Sequence, residues 1–218
     1  MLSLHKSTIH NMSRIGLLIG SSRHHGNHVG LSKWLQTAFT KHFTPSTDIS
    51  LIEANSKVYG PLIDDIIPMT IKNASEYSSP EIQAYSSLVS SLSALVILTP
   101  QYNFSFPGEL KNALDHLYSE WKSKPVYLVT YGGRGGGKAA EALTPVLEGG
   151  LGMKIVSKLE IKLPYEVITT AKRVGEDEET DKFLKEYEEG LEEGFKALEV
   201  ALKEKEYVIH FPCCVNVN

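Results

Sequence analysis

The sequence predicts an α/β fold with one sheet in a three-layer sandwich: five parallel strands in the order 2-1-3-4-5, with helices on both faces. Three observations predict it. Strand-like and helix-like segments alternate five times along the chain. Most strand segments are unbroken apolar runs, as strands covered on both faces require. Right-handed crossovers then leave few topologies, and five strands suit this order.

Arg14 to Gly20 is an apolar run ending in glycine and reads as a buried strand. Ser21 to Asn27 is a polar loop. Val29 to Phe43 follows with helical spacing (Leu31, Trp34, Leu35, Ala38, Phe39), and Asp48 to Ala54 is a second, weaker strand. Residues 55–80 hold three prolines and no clear period, and so read as a long loop. Ile82, Tyr85, Leu88, Val89 and Leu92 repeat at helical spacing, and Ala94 to Leu98 is a central strand. A loop covers Thr99 to Ser105. Pro107 opens a helix with Ser105 as its cap, and Leu110, Ala113, Leu114, Leu117 and Trp121 give that helix its apolar face. Pro125 to Tyr131 is the fourth strand, Gly132 to Gly137 a glycine loop, and Lys138 to Leu147 a helix. Lys154 to Leu163 alternates, with Ile155, Leu159, Ile161 and Leu163 on one face, and reads as an edge strand. Phe183, Tyr187, Leu191, Phe195, Leu198 and Leu202 define a last amphipathic helix.

A chain of 218 residues with 42% hydrophobic and 22% charged residues can bury one full core and is not disordered, collagen-like or coiled-coil. We expect one domain over residues 14–206, a disordered extension over 1–13 and a tail over 207–218. A net charge of −4 argues against a nucleic-acid partner. The two cysteines, Cys213 and Cys214, are adjacent and lack ligand spacing, so neither a disulfide framework nor a metal site is expected. No membrane span and no secretory leader are expected, and the cysteine usage suits a cytoplasmic location. Residues 176–206 carry 13 acids and 5 bases. That excess reads as the solvated face of the last helix, with a protein partner as the sharper alternative.

In an open α/β sheet, ligands sit beyond the carboxyl ends of the strands. Three loops leave such ends here with unusual composition. Gly20 to His28 holds Ser21, Ser22 and Arg23 before a helix start, donors suited to phosphate. Thr99 to Pro107 holds three aromatics, two amides and no charge, a surface that can lie along a flat heteroaromatic ring. Tyr131 to Lys138 holds five glycines in six residues, which lets backbone approach a ligand closely. Two familiar patterns overlap the glycine loop without their context. Gly132 to Lys138 fits a P-loop, but Ala139 replaces its Ser/Thr; Gly135 to Ala140 fits a dinucleotide fingerprint, but after the fourth strand rather than the first. His24, His25 and His28 lack a carboxylate or cysteine neighbour, and no catalytic triad or metal set emerges.

Gly20-Ser-Ser-Arg23, Thr99-Pro-Gln-Tyr-Asn103 with Pro107 and Lys111-Asn-Ala-Leu-Asp115, and Tyr131-Gly-Gly-Arg-Gly135 resemble the NADPH-dependent FMN reductase family, which includes quinone, azo-dye and chromate reductases. The similarity covers about residues 14–165 and is nearest in form to the fungal quinone reductase branch. It implies a flavodoxin-like fold, bound FMN, NADPH or NADH as hydride donor, a quinone-type acceptor and a homodimer or homotetramer. By matching positions, Ser21, Arg23 and the Asn27–His28 backbone hold the FMN phosphate. Pro100, Gln101, Tyr102, Asn103 and Phe104 line the isoalloxazine. Tyr131, Gly132 and Gly133 pack against its other edge. The N–H groups of Gly132 and Gly133, helped by Arg134, are expected to stabilise negative charge near its N1. Hydride passes through flavin N5 in two-electron, ping-pong turnover, so no catalytic side chain is needed. Many relatives carry Ser and Asn where this chain has Gly26 and His28. The alternatives are a one-electron carrier and a redox-gated interaction protein.

Overall fold

The computed structural model describes residues 13–45, 47–54 and 66–210, with side chains as far as 204. A five-stranded parallel sheet forms its centre: β1 (Arg14–Ile19), β2 (Asp48–Glu53), β3 (Ala94–Pro100), β4 (Pro125–Gly132) and β5 (Lys154–Lys162), in the order β2-β1-β3-β4-β5. This is the expected flavodoxin-like arrangement. The helices are α1 (His28–His42), α2 (Pro80–Ser91), α3 (Gly108–Asp115), α4 (Gly137–Thr144), α5 (Tyr165–Thr169), α6 (Glu178–Asp181) and α7 (Glu188–His210).

Successive strand side chains point to opposite faces, and the core divides accordingly. Leu18, Leu95, Ile97, Val126 and Leu128 pack with residues of α2, α3 and α4. Ile15, Leu17, Ile19, Val96, Leu98, Tyr127 and Val129 pack with Leu31, Leu35 and Phe39 of α1 and Leu191, Phe195 and Leu198 of α7. Strands β3 and β4 are buried almost throughout, whereas β5 is mostly half-exposed, as expected for an edge. Its alternation is broken: a register shift opposite Val126 and Tyr127 turns Ile155 to the face of α2 and α3, while Leu159, Ile161 and Leu163 pack on the face of α1 and α7. Pro80 begins α2, and the Ser79 hydroxyl accepts the Ile82 N–H there.

Several boundaries differ from the expectation. The helix after β3 stops at Asp115, and Trp121 lies in a separate turn, Ser119–Trp121. The Trp121 indole N–H donates to the Leu114 carbonyl at 3.0 Å, which occupies a group the helix end leaves open. Ser105 does not cap α3. Pro107 holds the cap position, while the Ser105 backbone exchanges two hydrogen bonds with Tyr102. Two short 3₁₀ turns, Pro68–Thr70 and Ala74–Glu76, interrupt the later part of the stretch read as one long loop. The last helix starts at Glu188 after a 3₁₀ segment, Lys182–Tyr187. Residues 55–65 of the expected loop, residues 1–12 of the expected extension and 211–218 of the expected tail lie outside the described residues.

On the acidic α7, Glu192 faces His42 at 2.9 Å and Lys196, Glu199 faces Lys203 at 2.7 Å, and Glu204 faces Lys154. Part of the charge excess is thus answered within the fold.

Candidate functional site

The carboxyl ends of β1, β3 and β4 lie side by side, so the three unusual loops meet. Together with the segment after β5 they enclose a cleft of about 300 Å³, a size within the range of small-molecule sites. A larger hollow of about 650 Å³ lies among Glu178, Glu179, Asp181, Lys182 and Lys185, away from all three loops. Its lining residues are all charged, three acids and two lysines, with no aromatic or glycine wall among them.

Ser21, Arg23 and Asn27 line the cleft from the first loop. The Arg23 guanidinium stands 4.7 Å from the centre of the Tyr102 ring, a cation–π distance. The Ser21 hydroxyl lies 3.3 Å from the Tyr102 hydroxyl. Burial pushes the Tyr131 phenol far up, and Tyr102 adds to this; Ser21 and Arg23 act in the opposite sense. Tyr131 therefore stays neutral at physiological pH and serves as a wall with a hydrogen-bonding tip.

Helix α1 begins at His28 without a side-chain cap. The Asn27 side chain is engaged elsewhere, since its Nδ2 donates to the Val167 carbonyl at 2.9 Å and its Oδ1 accepts the Val174 N–H at 3.0 Å. The N–H groups of Asn27 and His28 meet no acceptor among the described residues, which leaves donors and the positive end of a 15-residue helix at the cleft. The His28 ring itself is not part of the lining. It fills the space a side chain at position 26 would take: a Cβ on Gly26 would lie 2.6 Å from His28 Nδ1. Burial lowers the His28 pKa, with Glu53 opposing, so the ring adds little charge.

Pro100, Gln101 and Tyr102 line the cleft from the second loop. Gln101 ties this loop to the third: its N–H donates to the Tyr131 carbonyl at 2.7 Å, and its Oε1 accepts the Lys138 N–H at 2.9 Å. Asn103 and Phe104 do not reach the lining. They form the two central residues of a tight turn between Tyr102 and Ser105, with φ of 47° and 63°. Both positive values mark the turn that favours Asn-Gly, so Phe104 is held under strain, with 62% of its surface exposed.

Tyr131, Gly132 and Gly133 contribute from the third loop. The Gly132 carbonyl accepts from Gly135 N–H at 3.0 Å and from Leu163 N–H at 2.9 Å, which folds the loop back on itself. Arg134 is exposed at its tip, outside the lining. The P-loop-like pattern is not used as one: Gln101 occupies the Lys138 N–H, and Lys138 Nζ pairs with Glu141 at 2.7 Å.

The sequence reading missed the fourth wall. Leu163, Val167, Ile168 and Arg173 line the cleft from the strap after β5. The rule applied to β1, β3 and β4 applies equally to β5, and was the available signal. The strap is latched to the first loop by Asn27 and by Arg173, whose Nε donates to the His25 carbonyl at 2.9 Å. Behind the latch the backbones touch, since a Cβ on Gly30 would lie 1.9 Å from the Val174 carbonyl oxygen. His25 and Gly26 join the lining through the same loop. Two arginines line the cleft and no carboxylate does. Among the described residues no helix is long and apolar enough to cross a membrane, and no cluster of three or more metal-ligating side chains forms.

Comparison with known proteins agrees with this geometry. Residues 13–166 match the family model described as NADPH-dependent FMN reductase. The chain is 42% identical over 105 residues to the NAD(P)H-dependent FMN reductase LOT6 of Saccharomyces cerevisiae, covering 48% of this chain and 54% of that protein. It is 29% identical over 137 residues to an NADPH:quinone oxidoreductase of Arabidopsis thaliana, covering 61% of this chain and 65% of that one. The chain thus spans about half of the yeast relative's length and slightly under two thirds of the plant one. Among solved structures, the NAD(P)H:(acceptor) oxidoreductase FerB of Paracoccus denitrificans superposes with a TM-score of 0.54 at 22% identity, over 84% of this chain and 97% of that one, which speaks to the fold.

Proposed function

The chain belongs to the NADPH-dependent FMN reductase family, and on that premise we propose that it is an FMN-dependent oxidoreductase passing two electrons from NAD(P)H to a quinone or a similar flat acceptor. One observation carries the reading: a cleft at the β1/β3 switch point that combines aromatic and glycine walls with two arginines and no carboxylate.

The residues fit FMN at both of its ends. Ser21, Arg23 and the open N–H groups of Asn27 and His28 make a donor set suited to the phosphate. Tyr102, Tyr131 and the backbone of Gly132 and Gly133 offer flat surfaces suited to the ring. When bound, the flavin supplies hydride acceptance from NAD(P)H at N5 and release of two electrons to the acceptor.

The protein's own part is to bind, orient and exclude water. Ser21 bonds the Tyr102 hydroxyl, and the Arg23 guanidinium covers the Tyr102 ring, which together orient that ring. Gln101 locks the second loop to the start of α4 and keeps Pro100 and Tyr102 in place. The amides of Gly132 and Gly133 would receive negative charge at the ring's N1 edge, and Arg134, exposed at the tip of the same loop, would add a longer-range positive field. Asn103 and Phe104 stand at the rim, where a flat acceptor enters. A homodimer or homotetramer and a cytoplasmic location, implied by the resemblance, belong to the same proposal; light scattering reads the first and cell fractionation the second.

The test is a visible spectrum of the purified protein with FMN, followed by NADPH under nitrogen and then a quinone. We expect flavin bands that bleach with NADPH and return with the quinone. Bands that survive NADPH would replace the enzyme by an electron carrier, and a protein that binds no flavin would overturn the reading.

A further inference from the structure

The strap after β5 lies almost wholly outside the stretch matched to the family, which ends at residue 166. Its Arg173 nevertheless lines the cleft. The guanidinium is fixed from behind. Nε donates to the His25 carbonyl at 2.9 Å, and Nη1 donates to the carbonyls of Thr170 and Lys172, each at 2.6 Å. A longer contact reaches the Val167 carbonyl at 3.5 Å. None of these bonds uses Nη2, and among the described residues neither Arg173 nor Arg23 pairs with a carboxylate. Two cations lining one cleft, one on the first loop and one on the strap bonded to that loop, are therefore left without a counter-charge among the described residues. A guanidinium oriented by carbonyls on one edge presents its other edge as a donor for an oxyanion. The open amides at the start of α1 lie on the same loop that Arg173 grips.

We propose that Arg173, held by the strap, forms with Arg23 a two-armed clamp for a phosphate monoester. This rests on the flavin reading above. Two ligands of that reading carry such a group: FMN at the end of its ribityl chain, and NADPH at its 2′ position. The clamp couples the strap to the ligand, because the residue that grips the phosphate also pins the strap to the first loop.

The experiment measures dissociation constants of FMN and riboflavin by fluorescence quenching for the wild type, Arg173→Lys and Arg173→Gln. It also measures the ratio of kcat/KM with NADPH to that with NADH at saturating FMN. With the clamp on the flavin, Arg173→Gln weakens FMN by about tenfold or more, the scale of a lost charge-assisted hydrogen bond. Riboflavin stays within about twofold, Arg173→Lys falls between, and the donor ratio is unchanged. With the clamp on the donor, the flavin constants hold and the NADPH preference falls by a similar factor. Equal weakening of FMN and riboflavin with an unchanged donor ratio would reduce Arg173 to a staple of the strap and overturn the proposal. So would no change in either comparison. A wild type that binds neither flavin would instead overturn the functional reading itself.

Discussion

The two sides that close the cleft are built by opposite means. The glycine loop after β4 is held mainly by short-range bonds: Gly135 N–H donates to the Gly132 carbonyl, Leu163 N–H joins the same carbonyl, and Gln101 braces the loop's far end at the Lys138 N–H. The strap after β5 depends on other parts of the chain. Asn27 and Arg173 latch it to the first loop, and Gly30 lets its backbone lie against α1. The glycine loop holds its shape through short-range backbone bonds. The strap holds its shape through contacts some 140 residues apart in sequence, such as Asn27 to Val167. The strap also shares the core, since Leu163, Val167 and Val174 are buried with Ile19, Leu31 and Leu98 on one face of the sheet; loosening the latch exposes those three side chains first.

The sharpest way to break this comparison is Gly30→Ala. In an ordinary helix interior that change is stabilising by about 1 kcal/mol. Here the new methyl would overlap the Val174 carbonyl. We expect a loss of about 2–3 kcal/mol in denaturant unfolding, with cleavage by a protease in residues 164–175 well before the sheet opens. A neutral or stabilised variant would show that the strap yields freely. Next in size, Asn27→Ala removes two latch bonds and leaves the Val174 N–H to find another partner. It should cost about 1–3 kcal/mol and accelerate hydrogen exchange in the strap while the glycine loop keeps its protection; equal acceleration in both loops would count against their independence.

A smaller effect sharpens the rim. Phe104→Gly places glycine where the turn wants it and should raise stability by about 1 kcal/mol. Thermal unfolding reads the gain, and a fall in melting temperature would mean that the Phe104 ring contributes packing that outweighs its backbone strain. The smallest effect is a pH slope. Burial holds His28 below its ordinary 6.5 in the folded chain. The unfolded chain therefore takes up the proton first as pH falls through 6.5, so this residue removes stability in that window, and the loss levels off below the folded pKa. His28→Gln should flatten the slope between pH 7 and the lower value. An unchanged slope would assign it to other histidines.

Much of the cleft could be read from residue types. Ser21 and Arg23 before a helix, the aromatics after Thr99 and the glycines after Tyr131 are local signals, and all three loops do meet. The sequence points to the backbone of Asn27 and His28, and to Gln101; what it leaves out is the further work of their side chains. The Asn27 side chain latches the strap, the His28 ring fills the space beside Gly26, and Gln101, which lines the cleft, also braces α4. Each of these roles depends on a distant backbone group that local pattern does not carry. The strap itself has no periodicity and only short helices, so nothing in its composition singles it out.

Hydrophobic patterning by itself determined the sheet, its helices and the side on which a ligand can lie. Apolar runs of strand length must be buried on both faces, and chain handedness then limits the order. Tertiary structure alone decided that Arg173 enters the cleft, that the Asn27 side chain bonds to the strap and that Gly30 is a contact surface. These follow from which carbonyls come within hydrogen-bond reach once the sheet has formed, a matter of distances between remote segments rather than of any residue's own preference.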